Sequence, residues 1–174
     1  MSKIAIISDL HLGERKFRKQ IHSQNAWKMI TYNVFQGVID KLKNDSSVDS
    51  VIIAGDVFDH FNPDIDAIFM AQKLADINKP CYIISGNHDK RAISIEHDIH
   101  CFDIMNQISG IGTDISLCWI KEPTEKLFTK ENVHMFFLPY GYLTPEWFAW
   151  CSESIGKNPG FKNILIAHGY IDVN

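Results

Sequence analysis

The sequence predicts an α/β fold in which strands alternate with helices and the later strands form a second sheet. Three observations predict it. Short Ile- and Val-rich runs alternate with longer segments whose apolar residues recur at helical spacing. Four clusters of Asp, His and Asn each follow directly on one of the predicted strands. The chain of 174 residues, 45% apolar and 22% charged, is long enough for one domain with a substantial core.

The first half of the chain is predicted to form a parallel sheet. Lys3–Ser8 is an Ile-rich run typical of a buried strand, and Ser50–Ala54 and Cys81–Ile84 have the same character. A long helix is predicted between the first two strands. Its apolar residues are expected to form one buried stripe; they are Trp27, Ile30, Val34, Phe35, Val38, Ile39 and Leu42.

The segment between the second and third predicted strands is also predicted to be helical. Asn62–Asn78 is predicted as a helix in which Asn62 is the N-cap and Pro63 the first helical residue. Its apolar side includes Ile65 and Phe69. Helices between successive strands imply parallel pairing of those strands.

The second half contains shorter, more closely spaced elements. A helix is predicted over His97–Gln107 and another over Pro145–Ser154. Strands are predicted at Ile115–Ile120, Val133–Leu138 and Asn163–Ala167. Because these strands are closer together in the chain, we expect them to form a second sheet.

Composition excludes several classes of protein. The net charge of −4 argues against a generally basic coat for nucleic acid but allows a local basic patch. No apolar run approaches the ~20 residues of a membrane span. The first apolar run ends in Asp9 and His11 rather than a cleavage site, so we expect no signal peptide and a cytoplasmic location. The four cysteines form no CxxC pair, which favours reduced thiols over a zinc site.

The four polar clusters predict a metal site. They are Asp9–His11, Gly55–Asp59, Gly86–Asp89 and Ala167–Gly169. Ligands of open α/β sheets lie beyond the carboxyl ends of the strands, so the clusters should meet there. Oxygen and imidazole donors suit Mn²⁺, Fe²⁺ or Zn²⁺. Each cluster alone is ordinary turn or cap chemistry, but the four together favour a metal site.

These motifs resemble a known family. DLH, GDVFD, GNHD and a later His are similar, in this order, to the motifs of calcineurin-like metallophosphoesterases. Within that superfamily, DLHLG, GDVFD followed by Pro63, and GNHDKR most resemble the SbcD/Mre-type nuclease subunits of DNA double-strand-break repair, including bacteriophage recombination nucleases. The resemblance implies two β-sheets flanked by helices and a phosphodiester hydrolase that uses two divalent metal ions.

The resemblance also implies roles for individual residues. Asp9 and His11 would hold one metal, Asn87 and His168 the second, and Asp56 would bridge both. Manganese is the expected metal, with iron, zinc or magnesium as alternatives.

Two further residues of the motifs would act in catalysis. His88 would stabilise the transition state or protonate the leaving oxygen, and Asp59 would orient His88. Asp89 is expected to support its loop rather than touch metal.

Basic residues near the motifs are candidates for contacts with DNA phosphates. The alternative is a solvated entry to the first helix. The candidates are Arg15, Lys16, Arg18 and Lys19 after the first motif, and Lys90 and Arg91 after the third.

One departure from the family pattern concerns the end of the site. The family carries a Gly-His-x-His motif on a later loop, and no such motif occurs in these 174 residues. The resemblance therefore implies that residues 1–174 are the N-terminal, C-terminally incomplete portion of a nuclease domain, without a capping domain. It also implies weak metal binding and little activity in this chain alone.

The resemblance implies partners and leaves alternative functions open. DNA, a second copy of the chain and an SMC-like ATPase subunit of the SbcC/Rad type are the implied partners. The dimer would form through the Asn62–Asn78 and His97–Gln107 helices, whose apolar residues include Phe69, Met70, Ile99, Phe102 and Met105. The alternative is that all of these side chains pack in the core. The alternatives are a phosphatase or small-molecule phosphodiesterase on the same scaffold, and a catalytically silent domain that binds DNA or protein.

Overall fold

A computed structural model describes residues 3–13, 24–90, 101–109, 117–129 and 131–169. Within these ranges, none of the helices is long and apolar enough to cross a membrane. The elements in chain order are β1 (Ile4–Ile7), α1 (Gln24–Asn44), β2 (Ser50–Ala54), α2 (Ile65–Gln72), a 3₁₀ helix (Lys73–Ile77), β3 (Cys81–Ile84), α3 (Cys101–Ser109), β4 (Leu117–Ile120), β5 (Thr124–Phe128), β6 (Val133–Leu138), α4 (Pro145–Lys157) and β7 (Lys162–Ala167).

The described strands form two sheets, which confirms the predicted α/β class. The first sheet has the order β1-β2-β3-β4 and is parallel throughout. The second has the order β5-β6-β7, with β5 antiparallel and β7 parallel to β6. The assignment of the strand near Ile115–Ile120 to the second sheet is wrong, because β4 pairs with β3. Strand β5 was not predicted.

Alternation along the central strands builds a sandwich. In β2, Val51 and Ile53 face a core shared with the helices, whereas Ile52 faces the second sheet. In β6, Phe137 points toward the first sheet and Phe136 packs in the cluster around α4. Since successive side chains of a strand point to opposite faces, each of these strands contributes to two cores. The continuous apolar runs in the sequence follow from burial on both faces.

Helix α1 buries a narrower stripe than predicted. Phe35 and Ile39 are buried against the first sheet. Ile30 and Val34 are wrongly placed in the stripe, since 54% and 63% of their surfaces are exposed. They lie on the side of α1 that turns away from the sheet, because at 100° per residue they are displaced from the Phe35–Ile39 face.

Helix α2 begins later than predicted. Its N-cap is Asp64, whose carboxylate accepts a hydrogen bond of 2.7 Å from the Ala67 N–H. Asn62 and Pro63 therefore precede the helix, which corrects the predicted cap. At Lys73 the α-helix is followed by a 3₁₀ helix. Asn78, whose backbone lies in the left-handed region at φ 56°, ends this 3₁₀ helix. The four cysteines all lie within the described residues and form no disulfide bond with one another.

Candidate metal centre

The loops that follow β1 and β2 run side by side beyond the sheet. The N–H groups of Asp9 and His11 donate to the carbonyl oxygens of Gly55 and Asp56, at 3.1 and 3.0 Å. Leu12 continues the pattern to Val57 at 2.8 Å. The first two polar clusters are thus held together by their backbones, as expected for neighbouring parallel strands.

Backbone strain is concentrated in these loops. Asp9, His11 and Asp56 all lie in the left-handed region, with φ of 58°, 45° and 52°. Residues other than glycine rarely adopt this conformation, and clusters of them are typical of functional sites. The backbone strain therefore indicates that these two loops belong to a functional site.

A first group of donors comprises Asp9, His11 and Asp56. Their ligand atoms lie within 4.8 Å of one another. The Nε2 atom of His11 is 3.8 Å from an oxygen of Asp9 and 3.8 Å from Oδ2 of Asp56. One imidazole and two carboxylates at this spacing fit a divalent cation of the first transition series.

A second group lies on the other side of Asp56. The Nε2 atom of His168 is 3.1 Å from Oδ1 of Asn87 and 3.5 Å from Oδ1 of Asp56. Its Nδ1 atom is 2.8 Å from the carbonyl oxygen of Ala54. A carbonyl oxygen only accepts hydrogen bonds, so Nδ1 carries the hydrogen. Nε2 is therefore the nitrogen that faces the candidate ligand oxygens of Asn87 and Asp56. Asp56 thus directs one carboxylate oxygen toward each group, which fits the bridging role implied by the resemblance.

Asp89 joins the second and third polar clusters. Its carboxylate accepts hydrogen bonds from the N–H groups of Gly86 (2.8 Å), Phe58 (2.8 Å) and Val57 (3.2 Å). The side chain is fully buried. Burial raises the pKa of Asp89 to about 6, opposed by the three N–H donors. Asp89 supports its loop, as the sequence predicted, and also holds the neighbouring loop.

Asp59 contacts two histidines through different atoms. Its carboxylate lies 3.3 Å from Nδ1 of His11, whereas its carbonyl oxygen lies 2.9 Å from Nδ1 of His88. The predicted contact with His88 is therefore made by the main chain. The carboxylate instead supports a ligand candidate, a type of second contact that orients metal-bound imidazoles.

A cavity of about 530 Å³ unites the two donor groups. Residues from all four polar clusters line it, and His88 is among them. Asp9 and His88 are exposed at this cavity, while Asp56 is buried. The predicted metal candidates therefore meet at one accessible place. The predicted phosphate contacts Arg15, Lys16, Arg18, Lys19 and Arg91 lie outside the described residues.

Two glycines are required by close packing, which the sequence could not specify. A Cβ atom on Gly86 would lie 2.0 Å from Oδ1 of Asp56, and one on Gly55 would lie 2.1 Å from Nδ1 of His168. Gly55 also has a φ of 96°. The sequence suggested tight turns at both positions; the packed side chains of the donors are the additional reason.

Asp56 and His168 influence each other's protonation. The hydrogen bond with Asp56 raises the pKa of His168 to about 9, although burial opposes the shift. Burial would by itself raise the pKa of Asp56, but the contacts with His168 and with the His88 N–H lower it. In the absence of metal the two residues therefore form an ion pair near neutral pH.

This pair predicts a pH dependence for the metal-free protein. A histidine whose pKa is raised on folding contributes stability below its ordinary value of 6.5, and the contribution is lost as the pH rises through about 9. We expect the free energy of unfolding, measured by urea titration with a chelator present, to fall across this window. His168→Asn should flatten the fall, and identical profiles for the two proteins would contradict the assignment.

Comparison with known proteins identifies a family match over nearly the whole chain. The model of the family described as calcineurin-like phosphoesterase matches residues 2–174.

Several curated relatives are DNA double-strand break repair proteins Mre11. That of Saccharolobus solfataricus is 32% identical over 106 residues, which are 57% of this chain and 26% of the relative. That of Sulfurisphaera tokodaii is 32% identical over 127 residues, 67% of this chain and 31% of the relative. The chain thus spans about a quarter to a third of the length of these relatives.

Two solved structures show distant similarity. The nuclease MPE of Pseudomonas putida aligns with 79% of this chain and 64% of its own, at 18% identity and a TM-score of 0.36. The phosphopantetheinyl hydrolase PptH of Mycobacterium tuberculosis aligns with 96% of this chain and 68% of its own, at 14% identity and a TM-score of 0.44.

Proposed function

The chain belongs to the calcineurin-like phosphoesterase family, and on that premise we propose that it is the nuclease part of a metal-dependent enzyme that hydrolyses phosphodiester bonds in DNA. The observation that carries the proposal is the position of Asp56. Its two carboxylate oxygens face two separate donor groups across one accessible cavity. A shared carboxylate of this kind suits two neighbouring cations.

The residues present fit two divalent ions. Asp9, His11 and Asp56 would hold one, and Asp56, Asn87 and His168 the other. Manganese is the ion we propose among the first-row metals that carboxylate, amide and imidazole donors suit. When bound, the two cations would supply activation of a water molecule and neutralisation of negative charge on the phosphate.

His88 is proposed as the residue that protonates the leaving oxygen. It is exposed at the same cavity, so substrate can reach it. Its Nδ1 atom must donate to the carbonyl oxygen of Asp59, because that oxygen has no hydrogen to give. Nε2 remains as the nitrogen that can hold and release a second proton, which is what a general acid needs.

The choice of DNA as substrate is supported by the relatives, which are DNA double-strand break repair proteins. We expect the full-length protein with Mn²⁺ to cleave linear duplex DNA faster than it hydrolyses a small aryl phosphomonoester. The ratio of kcat/KM for the two substrates measures this preference. Robust hydrolysis of the monoester with no cleavage of DNA would favour the phosphatase alternative. Absence of Mn²⁺ binding in a calorimetric titration would favour a catalytically silent domain.

We further propose that the protein forms a homodimer through α2 and α3. Phe69 and Ile65 on α2 are 60% and 63% exposed, and Ile104 on the adjacent α3 is 39% exposed. Phe102 and Met105 are fully buried, so for these two the core alternative is correct and the prediction of a dimer surface is wrong. Ile99 lies outside the described residues. Exposed apolar side chains on adjacent helices are typical of an interface.

The dimer can be tested by light scattering. At tens of micromolar we expect a dimer for the wild type, since roughly this concentration populates a micromolar complex. Phe69→Ser should shift the mass toward the monomer. Leu127→Ser, which removes an apolar side chain that is 45% exposed on β5 of the other sheet, is the matched control. A monomeric wild type would contradict the proposal.

An SMC-like ATPase of the SbcC/Rad type is the proposed assembly partner, on the basis of the SbcD/Mre-like motifs and the repair relatives. Co-purification of the full-length protein with the ATPase encoded in the same genome tests it, and separate elution of the two would contradict it.

A further inference from the structure

A loop that the proposed mechanism does not use lies beside the candidate metal centre. Residues 139–143 connect β6 to the turn before α4. The N–H of Tyr140 donates to the carbonyl oxygen of Ser85 at 2.9 Å, immediately before the third polar cluster. On the other side, a Cβ atom placed on Gly169 would lie 3.0 Å from Cδ1 of Leu143. The loop is therefore packed between the segments that carry Asn87 and His168.

Lys90 extends from the third polar cluster toward this loop. Its ammonium lies 5.2 Å from the centre of the Tyr142 ring, within the distance of a cation–π contact. It also lies beside the backbone of Gly141, where an added Cβ atom would be 3.8 Å away. Tyr142 is itself fixed by an edge-on contact with Trp147 at 5.6 Å between ring centres. Aromatic packing thus restricts where the charge of Lys90 can be.

Lys90 forms no ion pair with an acid of the described residues. Among the residues for which the structure gives positions, no carboxylate lies within 4.0 Å of its Nζ atom, whereas Lys28, Lys121 and Lys157 each form such an ion pair. Lys90 is only two residues from His88, so their Cα atoms are at most about 7 Å apart. The Lys90 ammonium therefore lies against the 139–143 loop, and that loop packs against Gly169, which lines the cavity that contains His88.

We propose that Lys90, held in place by Tyr142, binds the phosphate next to the scissile one, so that the 139–143 loop and Lys90 form a subsite for the flanking nucleotide of a polynucleotide. The inference rests on the proposed phosphodiesterase function and adds its recognition of substrate. A phosphate needs a cation or N–H donors, and the carboxylates around the metal centre would otherwise repel it. The subsite would favour a chain of nucleotides over a small phosphate ester.

Lys126 offers a matched control. Its ammonium lies 4.7 Å from the ring centre of Tyr82, which is the same kind of contact. Tyr82 lines a separate cavity with Ile4, Ser50 and Pro80, at the amino ends of the strands and thus opposite the metal centre. Replacing Lys126 removes an equivalent charge and aromatic contact without touching the proposed subsite.

The test compares two phosphodiesters in the full-length protein loaded with Mn²⁺. One is a linear DNA oligonucleotide, and the other is bis(p-nitrophenyl) phosphate, which has no neighbouring phosphate. For Lys90→Ala we expect KM for the oligonucleotide to rise about 5- to 20-fold with little change in kcat, and the dependence of log(1/KM) on log salt to become shallower by about 0.7–0.9. Hydrolysis of the aryl diester should be unchanged. Lys90→Arg should restore most of the DNA affinity, and Lys126→Ala should behave as wild type.

Three outcomes would overturn the inference. Unchanged KM and salt dependence in Lys90→Ala, with normal hydrolysis of both substrates, would remove the subsite and leave the proposed function standing. An equal loss on both substrates would show that Lys90 supports the structure of the centre rather than binding a phosphate. Failure of the wild type to hydrolyse either diester would overturn the proposed function, and the subsite with it.

Discussion

Replacing His88 by alanine should lower turnover of a phosphodiester by about 10²–10⁴-fold while both metals remain bound. The expected loss follows from its position. The ring is exposed at the cavity that joins the two donor groups, and its Nδ1 atom is committed to the carbonyl oxygen of Asp59. Neither of the donor groups assigned to the two cations includes His88, so removal of its ring leaves them intact.

The measurement needs both kcat and the metal content of the same sample. His60→Ala is a suitable control, because His60 is also exposed and lies on the same segment as Asp59 but outside the cavity of the two donor groups. Asp56→Ala should instead empty both metal positions, since both groups depend on that carboxylate. His11, Asp59 and His88 also lie close enough to hold an ion. Loss of manganese from His88→Ala, with turnover per remaining metal unchanged, would assign His88 to that third group as a ligand.

Replacing Gly86 by alanine should strongly weaken metal binding without removing any donor atom. The added Cβ atom would lie 2.0 Å from Oδ1 and 2.3 Å from the backbone nitrogen of Asp56. The backbone atom cannot rotate away, so either the loop after β2 or the one after β3 must move. Gly86 also donates to the Asp89 carboxylate that joins those loops. We expect Mn²⁺ affinity to fall by at least about 10–100-fold, as for loss of a supporting contact, with a destabilisation of roughly 1–3 kcal/mol.

Gly37→Ala provides the matched control. Gly37 lies in α1, and an added Cβ atom there would meet no atom within 4 Å. Alanine should stabilise that helix by about 0.5–1 kcal/mol and leave metal binding unchanged. Isothermal titration with Mn²⁺ and urea unfolding separate the two variants. Wild-type affinity in Gly86→Ala would show that the loops are looser than their packing indicates.

The sequence was sufficient to predict the bounds of an element where the residues of that element alone determine them. β2, β3 and β6 have the predicted bounds, because continuous apolar runs between turn residues identify strands buried on both faces. The position of each polar cluster at the end of a strand could also be predicted, since each cluster directly follows its strand in the sequence. These features depend on neighbouring residues only.

Other features depend on competition between distant segments. Strand β5 carries Glu125 and Lys126 in a short run, so it has a weak strand signal of its own and is defined by pairing with β6. β4 belongs to the first sheet because it pairs in parallel with the edge of β3. The cap of α2 was decided between Asn62 and Asp64, which have similar intrinsic preferences, by which side chain could reach an open N–H group.

For this protein, the sequence by itself determined the α/β class, the parallel first half, and the residue types available at the carboxyl ends of four strands. Only the tertiary structure decided that Asp56 turns one oxygen toward each donor group, that the carboxylate of Asp59 supports His11, and that Lys90 lies over Tyr142. The physical reason is that strand and turn preferences act within a few residues. The direction of a side chain in the centre is set by packing against atoms that are tens of residues away in the chain.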